Sequence, residues 1–127
     1  MSYDELQKKL KQLAIEDFIW IIYIFIIIFS FYSNYLERKY YVFNDINSKE
    51  KYRKIIIGIF SVLVVVYLYF LKDSFDDFSS LKETDSEKKK KLITLSFIAS
   101  LLIAVSGIIF LYIAIEDEDL NVELAFN

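Results

Sequence analysis

The chain has 127 residues, 56% hydrophobic and 26% charged, with 15 Lys and Arg against 18 Asp and Glu. It contains no histidine and no cysteine, which removes the usual neutral-pH general base, the thiol nucleophile, disulfides and thiolate metal sites. With no proline and only two glycines there is little vocabulary for tight turns, and the charges are segregated from long apolar windows, which points to a bilayer solvent rather than a water-soluble core.

Residues 1–17 open the chain with SYDELQKKLKQLA, in which Tyr3, Leu6, Leu10 and Leu13 recur at i, i+3, i+7 and i+10. Ser2 and Glu5 have the spacing of a capping box. This predicts an amphipathic lead-in helix lying in the headgroup region and running into the first span.

Residues 18–36, FIWIIYIFIIIFSFYSNYL, form the first uncharged window, 55–71 the second and 92–115 the third, of 19, 17 and 24 residues. As helices they measure roughly 28, 26 and 36 Å, against a hydrocarbon thickness of about 30 Å. Ile, Val, Phe and Tyr also favour strands, but strands of this length are far outside the usual range, and three strands cannot close a barrel. A soluble bundle would need a polar face on each helix, and the first window offers only Ser30, Ser33 and Asn34 near one end. The first window exceeds a signal-peptide core and has no small-x-small site after it, so it is expected to be retained. The expected fold is all-α: a single integral membrane domain of three helices with an N-terminal amphipathic lead-in helix.

The connections are polar. Residues 37–54 form the first expected loop, with turn-forming Asn44, Asp45, Asn47 and Ser48 and with Ser48 as the expected N-cap of the second helix. Residues 72–91 form the second, where Thr84 and Glu87 repeat the capping-box spacing and the third helix is expected to begin near Asp85. Residues 116–127 make an acidic tail, IEDEDLNVELAFN with its preceding Ile115. Its carboxylates, among them Glu116 to Asp119 and Glu123, lack the glycine and alternating acids of an EF-hand, so a solvated tail with a frayed last helical turn is expected, and its ending LAFN is a candidate docking motif.

The run NYLERKYY, Asn34 to Tyr41, followed by a polar turn, a basic helix start and VYLYFLKD, Val66 to Asp73, resembles short uncharacterised multi-pass membrane proteins of bacteria. The likeness covers about the middle third of the chain. It implies a three-span protein of the bacterial inner membrane and implies no activity.

Three crossings place the N-terminal segment and second loop on one side with nine Lys and Arg, and the first loop and tail on the other with six. The basic cluster Lys88, Lys89, Lys90 and Lys91 beside the third window is the largest contribution, and the bias predicts a cytoplasmic N-terminus and an external C-terminus. Four lysines there gain about 1 kcal/mol each near anionic lipid.

No Asp, Glu, Lys or Arg falls inside an uncharged window, so proton relays and charged substrate sites are not expected. Gly58 and Gly107 are solitary, which excludes a Gly-rich phosphate loop. No cofactor, metal, nucleic acid or small-molecule substrate is expected, and the chain reads as non-catalytic. Its expected partners are the lipid bilayer and another membrane protein or a second copy of itself. The leading reading is an accessory, regulatory or assembly subunit acting by helix–helix contacts. The alternative is a membrane-permeabilising protein resembling phage holins in length and span number, although holins end in a basic tail and this chain in an acidic one. The tightest helix contact is expected along a small-residue stripe on the third span, Ser96, Ser100, Ala104 and Gly107, continued by Ala114 and facing Gly58 and Ser61 of the second span; enlarging Val64 to leucine is expected to be nearly neutral if its side faces lipid.

Overall fold

The computed structural model describes residues 1–124. It consists of three helices, α1 (Tyr3–Phe43), α2 (Ile46–Ser79) and α3 (Glu87–Glu116), and no strand among the described residues. Each helix is long and apolar enough to cross a membrane.

The helices are longer than the uncharged windows. The flanks at residues 3–17, 37–39, 49–54 and 87–91 are rich in Glu, Lys, Arg and Gln, which favour helix when nothing interrupts them. α2 also continues through residues 72–79, a run of mostly weak helix formers in which Phe75 and Phe78 pack on Phe97 of α3. α1 begins with a complete capping box: the Ser2 side chain accepts from the Glu5 N–H, and the Glu5 carboxylate accepts from the Ser2 N–H. It then continues for 41 residues, so the lead-in helix and the first window are one rod of about 62 Å. The segment does not turn off into a separate helix. Gln12 donates from Nε2 to Asp73 Oδ2 of α2 at 2.7 Å, which holds it alongside its neighbour.

The expected first loop, residues 37–54, is almost entirely helical. Its turn is reduced to Asn44, which caps α1 in the left-handed conformation (φ 52°), and Asp45, which caps α2. Asn44 tolerates that conformation because its short polar side chain can bond locally. Asp45, not Ser48, is the N-cap of α2, since its carboxylate accepts from the Asn47 N–H at 3.1 Å and the Ser48 hydroxyl at 2.9 Å. The second connection is likewise shorter than expected, spanning residues 80–86. Asp85 closes it by accepting from the Lys82 N–H, and Ser86, not Thr84, caps α3 by accepting from the Lys89 N–H. An acceptor two positions nearer the apolar run than Thr84 decides the start at Glu87.

α2 is the centre of the molecule. It packs on both α1 and α3, whereas α1 and α3 do not meet among the described residues. Its buried residues reflect this double role: Tyr52, Ile56, Phe60, Leu63 and Val66 sit between the neighbours, while α1 buries only Ile19, Ser33 and Leu36.

Candidate interaction site

The α2–α3 seam is antiparallel and can be followed contact by contact. Arg53 donates from Nη2 to the Ile115 carbonyl at 3.0 Å, Phe60 meets Phe110 with ring centroids 5.7 Å apart, Tyr67 lies against Gly107, and the Ser74 and Ser100 hydroxyls share a hydrogen bond of 2.8 Å. Those four α2 residues are spaced by seven. On α3 the contacting positions Phe97, Ser100, Ala104, Gly107, Leu111 and Ala114 alternate steps of three and four, the 3.5-residue repeat that keeps two helices in register.

The predicted stripe is therefore partly assembled and partly not. Ala104, Gly107 and Ala114 are buried and Ser100 is half-buried with its hydroxyl bonded across the seam. Ser96 is exposed, because a step of three from Ser100 leads to Phe97 instead, and Phe97 stacks on Phe78 with centroids 5.2 Å apart. On α2 the expected complement fails at Gly58, which has open space where a Cβ would stand and lies in the groove toward α1. The half-buried Ser61 donates its hydroxyl to the Ile57 carbonyl of its own helix and makes no hydrogen bond across the seam among the described residues. The surface that meets the stripe is large rather than small. A Cβ on Gly107 would stand 2.8 Å from Tyr67 Cδ2 and 3.5 Å from Val64 Cγ2, so Val64 faces α3 and not lipid.

The basic cluster is anchored at the start of α3. Lys89 pairs with Asp85 at 3.1 Å, and Lys90 reaches Glu87 at 3.4 Å and the Glu83 carbonyl at 3.1 Å, while Lys88 and Lys91 are exposed. Two of the four lysines thus fasten the connection as well as adding positive charge. Hydrogen bonds from Lys82 and Lys89 hold the Asp85 carboxyl below its ordinary value.

The acidic tail departs furthest from expectation. Asp117 Oδ1 accepts from the Asn121 N–H and Oδ2 from the Val122 N–H, at 2.9 and 2.8 Å, and Leu120 takes a positive φ of 56° to close the loop. These N–H bonds hold the Asp117 carboxyl below its usual value, with the nearby Arg53 adding to the effect. The segment folds back as a strap. Leu124 is buried in the cluster of Leu36, Tyr52, Ile56 and Ala114, which ties all three helices together, and Lys49 pairs with Asp119 at 3.5 Å. α3 stays helical through Glu116 because the Arg53 guanidinium satisfies one of its terminal carbonyls. The acids Glu116, Glu118, Asp119 and Glu123 stay exposed, as a solvated tail requires, but the last helical turn is not frayed and residues 117–124 form a folded strap; the rest of the LAFN motif, residues 125–127, lies outside the described residues. No group of three or more Asp and Glu side chains suited to a metal ion occurs among the described residues.

Because α1 packs along α2 and not along α3 among the described residues, two apolar clefts flank that contact. One, of about 550 Å³, lies over Ile56, Leu63 and Tyr67 of α2 and is rimmed by Trp20, Ile27 and Asn34 of α1. The other, of about 480 Å³, opens on the opposite side around Phe25, Phe29 and Gly58. Within the uncharged windows the hydroxyls of Ser30, Ser61 and Thr94 donate to carbonyls four residues earlier on their own helices, as serine and threonine do in apolar surroundings. No family model, curated protein or solved structure matches the chain.

Proposed function

We propose that the chain is a non-catalytic three-pass protein of the bacterial cell membrane, its N-terminus cytoplasmic and its C-terminus external, that serves as an accessory or assembly subunit through helix–helix contacts. The observation that carries this reading is the incomplete burial of α1. Ile24, Ile27 and Phe31 of α1 remain 57%, 57% and 74% exposed, and the cleft beside them is open. α2 and α3 in contrast are joined by a continuous seam with a hydrogen bond across it. A helix fixed at one edge, with an apolar surface larger than its own fold uses, is suited to receive a neighbouring protein. The orientation rests on nine Lys and Arg against six and on the Lys88–Lys91 cluster.

The test is extraction of the native membrane in mild detergent, with the mass of the particle and the stoichiometry of co-purifying proteins measured together. A complex with a fixed stoichiometry supports the reading. A protein that migrates alone, and whose induced expression abruptly collapses the membrane potential, would replace it with pore formation.

A further inference from the structure

α1 carries a second stripe that the fold leaves uncovered. Leu6, Leu10 and Leu13 are followed at the same alternating spacing by Asp17, Trp20, Ile24 and Ile27, and every one of these residues is exposed. This is a 3.5-residue repeat, the pattern by which one helix stays in contact with another over many turns. The residues facing α2 lie on a different side: Gln12, Ile19, Ile26 and Ser33 recur every seven. The membrane half of the stripe borders the larger cleft, since Trp20 and Ile27 form part of its rim.

Resting on the accessory reading above, we propose that this stripe is the docking seam for one transmembrane helix of a different membrane protein, and that the incoming helix carries a lysine or arginine at the level of Asp17. Lipid does not account for the whole seam. Leu6 precedes the uncharged window by twelve residues, about 18 Å of helix, which is more than the headgroup layer on one side of a bilayer can cover. The Gln12–Asp73 hydrogen bond holds this segment alongside α2 and prevents it from lying flat on the surface. A second copy does not account for it either. Two copies with one topology would meet in parallel along the stripe and set Asp17 against Asp17, a like-charge juxtaposition that disfavours the pair. A basic residue opposite Asp17, flanked by apolar contacts with Leu13 and Trp20, satisfies the charge and the stripe together.

A photoreactive amino acid placed singly at Leu10, Ile24, Lys8 and Phe29 and irradiated in native membranes tests this. Leu10 and Ile24 should give an adduct with the same protein, while Lys8 and Phe29, on the other side of α1, give none of it. The crosslinked segment, sequenced by mass spectrometry, should be an apolar helix with a flanking Lys or Arg. Asp17→Lys should reduce both adducts at least tenfold and Asp17→Glu should retain them, with helicity and elution volume unchanged in both variants. An adduct at twice the 15.1 kDa chain mass would overturn the proposal in favour of a second copy. Lipid adducts at Ile24 with none at Leu10 would overturn it in favour of lipid. Adducts with a partner protein only from a probe at Leu102, on the exposed side of α3, would remove this seam while leaving the accessory reading in place.

Discussion

The same substitution at the two glycines should have opposite effects. Both lie inside helices, so replacing either with alanine gains about 0.5–1 kcal/mol from helix propensity and the reduced freedom of the unfolded chain. At Gly58 nothing stands within 4 Å of the added methyl, and that gain is all that changes. At Gly107 the methyl would sit 2.8 Å from Tyr67 Cδ2 and 3.1 Å from Cε2, closer than real contacts allow. The Tyr67 ring is packed against the core cluster and borders the cleft beside α1, so swinging it aside gives up its packing contacts. Separating the helices to make room costs about 1–3 kcal/mol, the range for overpacking. Gly107→Ala should therefore be destabilised by up to about 2.5 kcal/mol net and Gly58→Ala stabilised by up to about 1 kcal/mol, a difference of roughly 1–3 kcal/mol from packing alone. Reversible unfolding in mixed micelles, followed by Trp20 fluorescence and far-ultraviolet circular dichroism, measures both. Equal stability of the two variants would refute the reasoning, because it would mean that Gly107 does not sit in a close interhelical contact.

Ser100→Ala should lower stability in the same assay by about 0.6 kcal/mol, the usual worth of an interhelical hydrogen bond in membranes, and Ser96→Ala should have no effect. Leu124→Ala should cost about 2–3 kcal/mol, within the range for a buried leucine, and should make residues 117–124 susceptible to protease while α1 to α3 stay protected. The Asp117 carboxyl is held below its ordinary value by the Asn121 and Val122 N–H groups, so its contribution is present above the ordinary carboxylate value of about 4 and is lost as pH falls through the lower folded-state value. A spin label at Val122 should accordingly stay immobile at neutral and mildly acidic pH and gain mobility only below about pH 4, and Asp117→Asn should abolish that transition.

The three windows at 18–36, 55–71 and 92–115 all fall within helices, and the Ser2–Glu5 capping box is where its spacing places it. These are local signals, and local signals survive folding. The helix ends were less legible because Glu37–Lys39 and Lys49–Lys54 are polar and yet good helix formers, Lys72–Asp77 is helical despite its weak formers, and the turn chemistry of the first connection is confined to Asn44 and Asp45. Hydrophilicity marks the edge of the apolar window, not the end of the helix. The seam was half legible. Small side chains mark the stripe of α3, but size alone does not show which side of α2 faces it: Gly58 fits the size pattern, yet Tyr67 is the residue that meets Gly107. A flat ring on a glycine fills the same space as two small residues packed together. The strap was hidden for a different reason. Its charges read as a solvated tail, while the interactions that fold it are Asp117 bonding to backbone N–H groups and one distant leucine reaching a cluster drawn from three helices.

Thiol accessibility at three positions tests the three-pass architecture most directly, and the absence of native cysteine makes it clean. Single cysteines at Asn47, at the start of α2, and at Glu118, in the strap, should react with an impermeant maleimide in intact cells, while one at Glu83, in the connection before α3, should react only after the cells are opened. Labelling of Asn47 and Glu118 from opposite sides of the membrane, or labelling of all three in intact cells, would contradict the account.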